Sequence, residues 1–196
     1  MNWQIAIDGP AGAGKSTIAK EVAKQLAFTY IDTGAMYRAV TLKAISLKIN
    51  MEDENEYRFL EDTQINFKDD KIFLDGKNVT SKIRSIEISN SVSLVSKFKY
   101  VREKLVSLQQ KLAQEENVFM DGRDIGAVVL PDANLKIFLV ASVMERATRR
   151  MKERKDSGLE LTLEETIQEI EERDRKDTTR INSPLVKAKD AIEIDT

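Results

Sequence analysis

The chain has 196 residues, 41% of them hydrophobic, with 31 Lys and Arg against 33 Asp and Glu for a net charge of −2; this suits one soluble α/β unit or a core with a small insert and disfavours a polyanionic partner such as nucleic acid. Cysteine and histidine are both absent. Disulfides, thiolate nucleophiles, His-based triads and Cys or His metal sites are therefore excluded, leaving Lys, Arg, carboxylates and a hard metal bound through oxygen.

Neither a basic leader nor an apolar run of about 18 residues occurs, so a cytoplasmic protein without a membrane span is expected. Residues 3–7 read as a short buried strand that runs into Gly9-Pro10-Ala11-Gly12-Ala13-Gly14-Lys15-Ser16, which fits G-x-x-x-x-G-K-[ST]. In such a loop free backbone N–H groups cradle phosphate oxygens, the lysine reaches the outer phosphates and the hydroxyl reaches Mg²⁺. Residues 17–27 follow with Ile18, Ala19, Val22, Ala23 and Leu26 at helical spacing. The bound triphosphate would then sit at a helix N-terminus, where the macrodipole favours anions.

A second strand is expected at 28–31, ending at Asp32-Thr33-Gly34, with a helix beyond it carried by Ala35, Met36, Ala39, Val40, Leu42 and Ile45. Strand, helix, strand, helix implies a parallel sheet. After a short polar helix over 52–62, residues 64–68 and 71–74 alternate apolar and polar around Asp69-Asp70, a hairpin signature, and Asp75-Gly76 supplies a second turn. Residues 63–95 therefore read as an antiparallel insert, packed onto its surroundings through Ile83, Ile86, Ile88, Val92 and Val95. A long helix over 98–116 leads to a strand at 117–121 that ends in Gly122-Arg123-Asp124. A buried strand at 135–140, a strongly basic helix, a charged helix from Leu163 to about Lys176 and a last strand at 191–194 complete the chain. The expected fold is a doubly wound α/β sheet of five parallel strands, with one site at their carboxyl ends.

Phosphoryl transfer needs donor and acceptor held in line and the equatorial charge neutralised, so the arginines mark the candidate site. They are Arg38, Arg123 beside Asp124, the cluster Arg146, Arg149, Arg150 and Arg154, and Arg173, Arg175 and Arg180. Arg146, Arg149 and Arg150 share one helical face and are read as facing the site, a solvated face being the plain alternative. Asp121, at a strand end, is the candidate to hold Mg²⁺ with Ser16; Asp32 competes for that role and is equally placed to cap a helix. Arg173, Asp177 and Arg180 converge if one helix runs through them, and otherwise form ordinary surface ion pairs.

These residues resemble the bacterial-type cytidylate (CMP) kinases, within the nucleoside monophosphate kinases. The resemblance is carried by residues 7–17, by Asp32-Thr33-Gly34-Ala35-Met36-Tyr37-Arg38, by Asp121-Gly122-Arg123-Asp124-Ile125-Gly126 and by Arg173 through Ser183-Pro184-Leu185. It implies ATP- and Mg²⁺-dependent phosphorylation of CMP and dCMP in a P-loop core (1–62 and 96–196), with a helical lid at about 145–165 that includes Asp156-Ser157-Gly158. The insert at 63–95 would bind the monophosphate. Thr33, Arg38, Ser93, Gly122, Arg123 and Asp124 are then expected on the acceptor, with Arg173, Asp177 and Arg180 as a cytosine- and phosphate-binding set in which Asp177 reads the base, and residues 9–16 with Thr17 and Arg149 on ATP. Lys15, Arg123 and Arg150 are the expected catalytic charges, and Ser16 and Asp121 the metal ligands. A monomer is expected, with nucleotides as its partners. The family carries a further helix beyond the position of Thr196, so one face of the last strand is expected to lie uncovered.

A regulatory GTPase would need D-x-x-G and N-K-x-D, and the sequence contains neither. A kinase of the same fold for another small acceptor, UMP or a shikimate-type hydroxyl, shares the loop but does not account for the insert. A non-catalytic nucleotide-binding module does not account for the arginines.

Overall fold

The computed structural model describes residues 2–68, 71–155 and 162–196, with backbone alone at 153–155. The expected turn at Asp69-Asp70, the side chain of Arg154 and the loop at Asp156-Ser157-Gly158 lie outside the described residues. Among the described residues, no helix is long and apolar enough to cross a membrane.

Strands β1 (Gln4–Asp8), β2 (Thr29–Asp32), β6 (Val118–Asp121), β7 (Leu135–Val140) and β8 (Ile192–Asp195) form one sheet in the order β2-β6-β1-β7-β8, every pairing parallel. Helices α1 (Lys15–Leu26), α2 (Thr33–Leu47) and α4 (Lys99–Glu115) cross over between strands and cover the sheet. Both faces of the central strands are therefore buried, which is why they read as continuous apolar runs. Ile5 and Ile7 of β1 point with Phe119 and Leu139 toward Ala19 and Ala23 of α1. Ala6 points the other way, with Ile31, Met120, Met36 and Val40. Because all five strands run in one direction, Asp8, Asp32 and Asp121 come out on one edge of the sheet.

Between α2 and α4 the chain forms a separate antiparallel sheet of β3 (Ile65–Lys68), β4 (Lys71–Leu74) and β5 (Lys77–Asn78). Asp75 and Gly76 turn from β4 to β5 with φ of 48° and 75°, the left-handed pair that a tight hairpin turn requires. Beyond Asn78 the insert is helical: a 3₁₀ turn at Lys82–Arg84 precedes α3 (Ile86–Val95), which Ser85 caps by accepting from Ile88 N. Ile83, Ile88, Val92 and Val95 are buried as expected, whereas Ile86, first in the helix, is exposed.

Helices α5 (Val143–Lys155) and α6 (Leu163–Thr179) pack against each other after β7, and Thr162 and Glu165 close a reciprocal capping box at the start of α6. Helix α6 stops before Arg180, whose backbone is extended. Ile192 and Ile194 of the edge strand β8 are exposed, as are Glu193 and Asp195.

Candidate active site

The loop between β1 and α1 is shaped by its backbone. A Cβ on Gly9, at φ 143°, would lie 2.2 Å from the carbonyl oxygen of Leu139, so only glycine lets the chain pass over β7 there. Ala11, Gly12, Gly14, Lys15, Ser16 and Thr17 line the cleft beyond it, while Ala13 is turned into the core. Helix α1 opens with no side-chain cap on its N-terminal N–H groups, leaving them directed at the cleft. Lys15 is buried, and its Nζ donates to Pro10 O at 2.8 Å. Burial, then the neighbouring Arg123 and Arg173, pull its pKa down to about 7 against the opposing pull of Asp121 and Asp8.

Asp32 and Asp121 stand opposite each other in register at the ends of β2 and β6. Asp32 proves to be the helix cap: its Oδ1 accepts from Ala35 N at 2.9 Å and its Oδ2 faces Arg38 at 3.7 Å. Asp121 is buried, accepts the Tyr30 hydroxyl at 2.8 Å and interacts with the Ser16 hydroxyl. Burial, and the charge of Asp32 beside it, raise its pKa. Thr33 is adjacent but its hydroxyl is committed to Asp121 O at 2.7 Å.

After β6 the chain turns at Gly122, where a Cβ would sit 2.6 Å from Ile125 Cδ1 and 2.7 Å from Thr33 Oγ1. It then runs through a π-helical turn at Ile125–Val129, a geometry common at functional sites. Asp8 secures this turn by accepting from Ile125 N and Gly126 N, both at 2.8 Å. The turn thereby presents Arg123 and Asp124 on opposite tasks. Arg123 Nε pairs with Asp177 Oδ2 at 3.0 Å. Asp124, buried, pairs with Arg102 and, at 3.4 Å, with Arg180. Arg180 reaches Asp124 and Asp177 from the extended residue after α6 rather than from within it, so the three α6-region groups converge although the helix has ended. Arg173 is partly buried; desolvation, with Arg123 alongside, pulls its pKa down to about 9, and among the described residues its Nε has no hydrogen-bond partner.

On α5 the shared face does point inward, but its arginines have separate partners. Arg146 is buried and donates to Ala11 O and Ala141 O, both at 3.1 Å, while pairing with Asp174 at 2.6 Å. It braces the loop from behind. Arg149, bonded to Thr196 Oγ1 at 3.0 Å, and Arg150, bonded to Glu169 at 2.8 Å, line the cleft itself.

Lys15, Ser16, Asp32, Thr33, Asp121, the 122–124 turn, Arg149 and Arg150 border one cleft of about 650 Å³, with Asp8 and Arg146 supporting it from behind. Among the described residues, eleven Lys and Arg side chains line it against four Asp, so a chain of net charge −2 carries a strongly cationic site. Arg38, Ser93, Thr33 and the whole 122–124 turn are brought to it, as are Arg173, Asp177 and Arg180. Such an arrangement binds phosphate groups at more than one point.

The family model described as cytidylate kinase matches residues 5–196. The chain belongs to the cytidylate kinase family. A cytidylate kinase of Acholeplasma laidlawii is 57% identical over 99% of this chain and 87% of its own length, and one of Clostridioides difficile is 53% identical over 100% and 91%. In fold, the chain resembles an uncharacterised protein from Eubacterium ventriosum, with a TM-score of 0.52 at 13% identity over 99% of this chain and 89% of that one.

Within this family member, sequence spacing misses three residues that the cleft depends on. Arg102 belongs to the buried face of α4 with Leu105 and Gln109; its only sequence signal is a charge beside an apolar stripe. Tyr30 is hidden inside a strand. Asp8 stands within the loop motif's flank, and burial raises its pKa to about 6. A carboxyl whose folded pKa lies above its ordinary value binds more protons folded than unfolded, so its contribution to stability falls as pH rises from about 4 to 6. Urea unfolding at pH 4.5 and 7.5 is expected to show Asp8→Asn gaining about 2 kcal/mol on the wild type between the two. An equal difference at both pH values would remove Asp8 from that titration.

Proposed function

We propose that the chain transfers the γ-phosphoryl group of ATP to CMP and dCMP, giving ADP with CDP or dCDP. The observation that carries this reading is the convergence of Lys15, Arg123 and Arg173 on one cleft, with the pKa of Lys15 and Arg173 depressed by desolvation and by the Arg123 guanidinium beside both. Crowded buried cations of this kind are stabilised by a multiply charged anion between them.

In this reading the loop at 9–16, with Thr17 and Arg149, holds the ATP phosphates, and the acceptor enters from the side of the insert. Arg38, Arg123 and Arg173 receive its monophosphate. Lys15, Arg123 and Arg150 neutralise the charge of the transferring group, and Asp177 holds Arg123 in line. The base lies toward Arg102, Asp124, Arg180 and Ser93. Cytosine presents an amino donor beside two acceptors, which the Asp124 side chain and the Arg102 guanidinium complement. Arg102 and Arg180 flank Asp124 there and fix the direction of its carboxylate.

Ser16 and Asp121 fit an oxygen-coordinated Mg²⁺: a buried carboxylate and a hydroxyl adjoin the Lys15 end of the cleft. Mg²⁺ takes only one or two protein ligands when phosphates supply others. Bound there, it would withdraw charge from the phosphate oxygens. We assign 1–62 and 96–196 to the core, about 145–165 to a lid, and 63–95 to monophosphate binding. Incubation with ATP, Mg²⁺ and CMP is expected to yield ADP and CDP in equal amounts by ion-exchange chromatography. ADP with inorganic phosphate and no CDP would refute transfer to CMP.

A further inference from the structure

The two carboxylates at the sheet edge, Asp32 and Asp121, are in direct register on neighbouring strands, so they repel and compete for any cation between them. What distinguishes them is their partners. Asp32 is occupied on both oxygens, by the Ala35 N–H and by Arg38. Asp121 meets Lys15 and the Ser16 hydroxyl, and its Oδ2 accepts from the Tyr30 hydroxyl at 2.8 Å.

Tyr30 lies two residues before Asp32 on β2, so it emerges on the same face. It lines the cleft, its hydroxyl also interacts with Ser16, and the Lys20 ammonium lies 5.5 Å from the centre of its ring. The hydroxyl thus closes a small oxygen cluster of Ser16, Tyr30 and Asp121. We propose that Tyr30 is a positioning residue for the metal: it commits one oxygen of Asp121, fixes the carboxylate's orientation away from Asp32, and leaves the other oxygen to a cation shared with Ser16. The inference rests on the Mg²⁺ assignment to Ser16 and Asp121 made above. Mg²⁺ demands near-octahedral geometry, so a ligand free to rotate binds it poorly, and loss of such an orienting partner weakens metal binding on the order of tenfold or more.

Tyr30→Phe deletes one oxygen and keeps the ring. Isothermal calorimetry of ADP binding, in Mg²⁺ and in EDTA, separates the metal contribution from that of the loop. The expected result is unchanged ADP affinity in EDTA and a roughly tenfold smaller gain from Mg²⁺. The rate should fall further with Mg²⁺ than with Mn²⁺, which a purely structural defect would not produce. In an Asp121→Asn background, Tyr30→Phe should add nothing, because its effect passes through that carboxylate. A Mg²⁺ gain equal to that of the wild type, or the same loss with Asp121 already replaced, overturns the proposal. A wild type that gains nothing from Mg²⁺ instead overturns the metal assignment and this inference with it. Tyr30→Leu, which also lacks the hydroxyl, repeats the test if the phenylalanine variant is poorly folded.

Discussion

Replacing Lys15 by methionine lowers kcat by on the order of hundredfold or more at saturating ATP and CMP, and does not lower the melting temperature. The first half follows from position: Lys15 is the cation at the junction of the loop and the Arg123 and Arg173 groups, where charge accumulates as the phosphoryl group moves. The second follows from its pKa, pulled down to about 7. A lysine whose folded pKa is depressed binds fewer protons folded than unfolded, so stability rises with pH from about 7 to 10 and is penalised below. Methionine removes that penalty and keeps the stem. The lost bond to Pro10 O is a small cost at a partly exposed carbonyl. Steady-state rates with a thermal melt on the same preparation check both halves, and a kcat within about threefold of the wild type would remove Lys15 from the chemistry.

Asp124→Asn and Asp177→Asn are expected to differ in kind. The first lowers kcat/KM for CMP by about hundredfold and collapses the preference for CMP over UMP, because a carboxylate that accepts from the cytosine amino group becomes an amide that serves uracil equally well. It also leaves Arg102 and Arg180 facing a neutral group in a buried setting, which costs on the order of 3 kcal/mol of stability. Asp177 instead touches Arg123, at 3.0 Å. Its replacement loosens the phosphate clamp, lowering kcat while leaving the CMP to UMP ratio near that of the wild type. Initial rates with both nucleotides for both variants decide the matter, and a ratio shifted by Asp177→Asn but not by Asp124→Asn would reverse the two roles.

The phosphate loop is legible because its eight residues are contiguous and act through their own backbone, and the second turn of the insert because Asp75 and Gly76 set both turn angles locally. Helix α3 is not, since Ile86 and Ile88 alternating with Glu87 and Ser89 imitate a strand, and the Ser85 cap that decides the matter is a single bond. The paired charges are the least legible. Asp8 acts 117 residues along the chain on Ile125, and Arg102 acts 22 residues along on Asp124; neither separation corresponds to any local period. The inward face of α5 was readable from spacing, but spacing could not tell Arg150, in the cleft, from Arg146, which binds the carbonyl of Ala11. Asp32 against Asp121 was open for the same reason. Both end apolar strands, and the N–H of Ala35 singles out Asp32 as the helix cap.

The most direct measurement is ATP consumption with Mg²⁺ across CMP, dCMP, UMP, AMP and shikimate under one set of conditions. Turnover with CMP and dCMP, at least about tenfold above that with UMP and AMP, is the result predicted by the proposal that Asp124 and Arg102 receive the base in this cationic cleft. Turnover with shikimate, or an equal rate with UMP and CMP, would contradict it.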